Sequence, residues 1–164
     1  MNERMDPRQV ERDLRILEHI ERNPNITQAT LATHLGVAVG SVNWYLKRLI
    51  NKGYIKVKRL QRKRLRYLIT PKGIAEKARL TYEYMDFSLR VYRELRARAQ
   101  QLLDEIQAAG YSEVHIDGDG DALEICRLTC LERGVKVASA SQMDLPVLRV
   151  EGPSLTLEWE AELT

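Results

Sequence analysis

Long apolar runs are missing from this chain of 164 residues. No stretch approaches the roughly 18 consecutive apolar residues needed to cross a bilayer, so no membrane span is expected. The segment Met1–Arg22 is studded with charges and carries no apolar run of the secretion-signal type. Aromatic residues make up only 6% of the chain, which argues against a large aromatic-lined pocket. The two cysteines, Cys126 and Cys130, are too few for a disulfide framework, and a reducing cytoplasm is the expected setting. Histidine is scarce as well. His19, His34 and His115 fall in separate segments without a nucleophile or carboxylate at motif spacing, so no catalysis, metal centre or cofactor is expected.

What is present describes an ordinary globular protein, with 44% hydrophobic and 30% charged residues. The length suits one or two small domains. Net charge is only +3, but it is unevenly spread. Met1 to Gly73 holds 16 Lys/Arg against 6 Asp/Glu, Ile74 to Ala109 holds 6 of each, and Gly110 to Thr164 holds 4 against 11. A basic head, a neutral middle and an acidic tail follow one another. The head's charge points to a polyanion, with nucleic acid foremost.

Apolar residues at Val10, Leu14, Leu17 and Ile20 keep a helical period after Asp6-Pro7, an N-cap followed by proline in the first turn. Asn23-Pro24 ends that helix. A second helix starts at Ile26-Thr27, with Thr27 as cap, and stops at Gly36. A third runs from about Val39 to Lys52, burying Val42, Leu46, Leu49 and Tyr45, and stops at Gly53. Tyr54–Lys58 and Leu65–Ile69 alternate apolar and polar residues as half-buried strands do, and Arg59–Arg64 reads as a basic loop between them.

Thr70-Pro71 then opens a helix with no breaker before Gly110, on the order of 58 Å long. Apolar or small residues recur along it at Ile74, Ala78, Thr81, Met85, Leu89, Tyr92, Leu95, Ala99, Leu102 and Ile106. This coiled-coil-like seam needs a partner, most simply a second copy of the chain. The alternative is a helix broken near Asp86–Ser88 that folds back on itself. Beyond Gly110, Glu113–Asp117, Asp121–Arg133 and Val135–Ala138 read as strand, helix and strand, a unit with parallel strands and a right-handed crossover. Leu145–Val150 and Leu155–Trp159 add two strands around Gly152-Pro153. The expected class is α+β, with a head at 1–73, a dimerisation helix at 74–109 and a small acidic βαβ-like unit at 110–164.

The stretch Asn25-Ile26-Thr27-Gln28-Ala29-Thr30-Leu31-Ala32-Thr33-His34-Leu35-Gly36-Val37 resembles the helix-turn-helix of MarR-type winged-helix regulators. Its continuation from Ser41 to Ile55 does so too, and Tyr67-Leu68-Ile69-Thr70-Pro71-Lys72-Gly73 resembles that family's return from wing to long helix. The resemblance covers roughly residues 8–80. It implies a homodimeric transcriptional regulator, a repressor by its commoner design, that binds double-stranded DNA. No small-molecule effector can be named.

A recognition helix lies in the major groove. With Val42, Leu46 and Leu49 buried, Ser41, Asn43, Trp44, Lys47 and Arg48 turn outward. Asn43 is the foremost candidate for a base edge, and Lys47 and Arg48 for phosphates. Trp44 either packs on sugar or a thymine methyl, or plugs the head's own core. Thr27 and Gln28 join the expected DNA contacts from the preceding helix. Seven basic residues fall between Lys56 and Arg66, and Arg59, Arg62, Lys63, Arg64 and Arg66 are expected on DNA. The chain departs from the family at Ala38-Val39-Gly40, where a capping serine and a polar reader are usual. That weakens the cap and leaves more of the affinity to backbone and wing contacts.

Other features are weaker. Gly118-x-Gly120 resembles the start of a dinucleotide loop, but the third glycine is absent and Asp119 and Asp121 would repel a phosphate. Packing or dimerisation is the expected use of that segment. Cys126 and Cys130 share a helix face, with His115 a candidate neighbour, and are read as small buried hydrophobes rather than redox sensors. The alternative for the whole chain is a winged-helix interaction module that docks a protein or RNA.

Overall fold

The computed structural model describes residues 6–62, 64–139 and 144–159. The chain divides into two compact units, Met1–Phe87 and Ser88–Thr164. The boundary falls inside the long helix, which supplies core residues to both units instead of forming a third.

The first unit opens with α1 (Pro7–Arg22), α2 (Gln28–Leu35) and α3 (Val39–Asn51). The starts of the helices follow the expected chemistry. Asp6 Oδ1 accepts from the Arg8 amide and Pro7 stands at the first helical position. Thr27 Oγ1 accepts from the Thr30 amide at 3.1 Å. Ala38 provides no side-chain cap to α3. Two antiparallel strands follow, β1 (Ile55–Gln61) and β2 (Arg64–Ile69), in register from Ile55 opposite Ile69 to Gln61 opposite Arg64. A bulge lies between Arg59 and Gln61. The hairpin is therefore longer and its loop shorter than expected. Arg59 and Arg64, assigned to a loop from the sequence, are strand residues, and Lys63 lies outside the described residues. The amide of Tyr67 also donates to the Pro24 carbonyl at 2.9 Å, so the segment before α2 borders the hairpin.

The apolar stripes of α1, α2 and α3 meet in one core with Ile55 and Tyr67. Leu80, from α4 (Pro71–Ala108), closes it. Gly73 lets α4 start tight against Tyr54, between α3 and β1. A Cβ there would sit 2.1 Å from the Tyr54 carbonyl oxygen, a backbone atom that cannot step aside. Thr70 caps this junction, donating to the Gly53 carbonyl and accepting from the Gly73 amide.

The second unit is a two-layer sandwich. Its sheet runs in the order β4-β3-β5-β6, with β3 (Glu113–Asp117), β4 (Lys136–Val137), β5 (Val147–Glu151) and β6 (Ser154–Glu158). β3 pairs in parallel with β4 and β5, and β5 pairs antiparallel with β6. Between β3 and β4 the chain forms α5 (Gly120–Glu132), giving the expected strand–helix–strand order with parallel strands. Val114, Ile116, Leu148, Val150 and Leu155 face a core made with Cys126 and Cys130 of α5 and with Leu95, Ala99, Leu102, Leu103 and Ile106 of α4.

That core corrects the seam. Leu95, Leu102 and Ile106 are 2% exposed or less and are spent inside one chain. Ala78, Thr81, Met85, Leu89 and Tyr92 are exposed. The long helix itself is continuous through Asp86–Ser88, so the broken-helix alternative fails.

Candidate nucleic-acid interface

The outer surface of α3 follows from burial of its other side. Val42, Leu46 and Leu49 are 1% exposed or less and fix the helix on the core. Gly40, Trp44, Lys47 and Asn51 then occupy the exposed side, while Ser41 and Asn43 are half-buried at its margin. Trp44 is 59% exposed, which removes the option that it plugs the core.

Arg48 departs from its expected role. It is half-buried, and its Nη2 lies 2.5 Å from both carboxylate oxygens of Asp13 on α1. Asp13 is 4% exposed, the one charged residue among the buried side chains described. Burial pushes its carboxyl above the ordinary value, with Arg48 and then Arg12 pulling back. A guanidinium committed to a buried acid is not free for a phosphate. Removing either partner alone would strand the other charge. The sequence held a signal for Asp13: it lies on the apolar stripe of α1, between Val10 and Leu14, where an acid needs a partner.

Around this pair the cations and rings alternate. The Arg12 guanidinium lies 4.0 Å over the Tyr45 ring. Tyr45 meets Trp44 edge-on at 5.5 Å between centroids, and Arg48 lies 5.4 Å from the centre of the Trp44 ring. Such contacts hold aromatic rings in place.

The hairpin presents Lys56, Lys58, Arg59, Arg62, Arg64 and Arg66, all exposed. Among the described residues none of them takes part in an ion pair. Elsewhere surface arginines pair readily, as Arg149 does with Asp117 at 2.7 Å and Glu158 at 2.8 Å. Thr27 and Gln28 sit beside the hairpin. The Thr27 hydroxyl is occupied with the Thr30 amide and hydroxyl, and Gln28 Nε2 donates to the Tyr67 hydroxyl at 3.3 Å. Between this turn and the hairpin lies a cavity of about 370 Å³ bordered by Leu60, Arg64 and Leu65, which sequence reasoning missed because the two apolar residues stand among charges.

Residues 11–56 match the family model of winged helix-turn-helix DNA-binding domains. The head is a winged helix-turn-helix. Its α2 and α3 form the helix-turn-helix, and its β1–β2 hairpin is the wing. A 94-residue segment is 30% identical to an uncharacterized protein of Methanocaldococcus jannaschii, covering 57% of this chain but only 29% of that protein. Solved structures similar to the chain include a MarR family transcription regulator, at 19% identity and a TM-score of 0.44 over 60% of this chain and 66% of that one. A Mycobacterium tuberculosis MarR family protein in complex with salicylic acid gives 21% and 0.44 over 60% and 74%. Lactococcus lactis ZitR in complex with DNA gives 18% and 0.43 over 66% and 75%.

The features of the acidic unit resolve as packing. A Cβ on Gly118, whose φ is +150°, would strike the Cβ of Val150 at 2.6 Å, so this glycine serves the close approach of β3 to β5. Cys126 and Cys130 are buried, and burial pushes both thiols up to about 11. His115 lies between Val114 and Ile116 on β3 and so points to the sheet face away from the thiols. Among the described residues no cluster of His, Cys, Asp and Glu could hold a metal ion. No helix among them is long and apolar enough to cross a membrane.

Proposed function

We propose that this protein is a homodimeric, cytoplasmic transcriptional regulator that binds duplex DNA and represses by occupying promoter sites. The observation that carries the reading is the wing, a bare row of exposed cations, in a head that matches a DNA-binding family model. Released counterions would supply affinity from the wing, and α3 would enter the major groove. The site comprises Ser41, Asn43, Trp44 and Lys47 on α3, Thr27 and Gln28 at the start of α2, and the arginines of the wing. Arg48 is left out, since Asp13 holds it. The exposed Ala78, Thr81, Met85, Leu89 and Tyr92 supply the surface for a second copy. Free, buried thiols suit a reducing compartment.

The test is binding of the full chain to labelled duplex DNA at several salt concentrations, with Arg59, Arg62, Arg64 and Arg66 changed to alanine. The variant is expected to bind more weakly and to shallow the plot of log affinity against log salt by about 0.9 for each phosphate no longer neutralised. Equal binding and equal slopes would remove the wing from the interface and favour a protein or RNA partner for the head.

A further inference from the structure

We propose that Trp44 is the specificity-determining residue of α3, reading the C5 methyl of a thymine, and that Asp13 is its positioning residue. The inference rests on the duplex-DNA reading above and adds what the helix recognises and what holds the reader in place.

From its start to Lys47, the exposed side of α3 is poor in polar readers. Val39 and Gly40, at the tip, offer no side-chain donor or acceptor, and a Cβ at Gly40 would meet nothing within 4 Å. Asn43 is half-buried, and Lys47 carries a single ammonium. The largest group left standing out is the indole of Trp44, 59% exposed and one turn beyond the bare Gly40. A hydrophobic ring in that position is mismatched to water and to phosphates. The apolar feature that the major groove offers is the thymine methyl.

The ring is also seated. Arg48 stands 5.4 Å from its centre and Tyr45 meets it edge-on, with the ring planes at 75°. Both supports are fixed from α1, Arg48 by the buried carboxylate of Asp13 and Tyr45 by the guanidinium of Arg12. Holding an aromatic ring before binding saves the cost of ordering it on the partner. It also explains why an acid is tolerated on the apolar stripe of α1.

The experiment uses the full chain and a duplex selected from a random pool, with each thymine replaced in turn by deoxyuridine, which lacks only the methyl. Wild type should lose about four-fold in affinity at one position per half-site, the worth of one buried methyl-sized group. Trp44→Ala, an exposed substitution that leaves the core intact, should bind thymine and uracil at that position equally. Asp13→Asn should lower the thymine-to-uracil ratio with the salt slope unchanged. If that single change unfolds the head by stranding Arg48, the double variant D13N/R48M removes both charges and reports the same ratio. A wild type indifferent to uracil everywhere, or a Trp44→Ala protein that keeps the discrimination, would overturn the reader. An unchanged ratio in the folded Asp13 variants would overturn the positioning role. A wild type that binds no duplex at all would fail the DNA reading itself, a distinguishable result.

Discussion

At the residue scale, burial of charge decided what the sequence left open. Helical periodicity turned Arg48 to the outside of α3, where it is half-buried, and left Trp44 open between outside and core, where it is exposed. The difference is a partner 35 positions away, which no local period reports. The histidines show the same limit. His19 and His34 stack with ring centroids 4.6 Å apart, and Arg15 ties the two helices by donating to the His34 carbonyl at 2.8 Å. Burial lowers the His19 pKa below its ordinary 6.5. His34, Arg15 and Arg22 push the same way and Glu18 opposes them. The folded head thus binds this proton less tightly than the unfolded chain does. Its contribution to stability is complete above 6.5 and is lost as pH falls through the lower folded value. Thermal unfolding followed between about pH 8 and about pH 5 should show His19→Gln losing less of its midpoint than wild type. Parallel curves for the two proteins would refute that assignment.

At the element scale, most of the fold was legible. Caps and breakers are local chemistry, so Asp6-Pro7, Thr27 and Thr70-Pro71 marked helix starts close to where they fall. Strand alternation located β1, β2, β3, β5 and β6. The wing was misjudged in extent, because its strands run on through charged residues that carry no apolar alternation. The weak cap of α3 was legible and has a consequence. Ala38 occupies a cap position with extended backbone, φ −68° and ψ 149°, and offers no side-chain acceptor. Ala38→Ser places a side-chain acceptor within reach of the first-turn amides. Chemical denaturation should report a gain of about 1 kcal/mol, with the slope on denaturant unchanged. A loss of stability would mean that the turn before α3 is not held as described.

At the scale of the whole molecule, the long helix was expected to be a dimerisation element, and it supplies core residues to two units. Its heptad-like seam gave no warning that Leu95, Leu102 and Ile106 would be claimed by a sheet contributed from later in the chain. Ala78, Thr81, Met85, Leu89 and Tyr92 remain exposed. The basic-to-acidic polarity of the sequence has a counterpart in the bare wing of the first unit, whereas Arg149 in the acidic unit pairs with Asp117 and Glu158. The central claim is that two winged-helix heads act together on duplex DNA. It is tested most directly by selecting binders of the full chain from a pool of random duplexes. The account predicts an inverted repeat with half-site centres about one helical turn (~34 Å), or a multiple of it, apart. Recovery of unrelated sequences at uniform, weak affinity would contradict it.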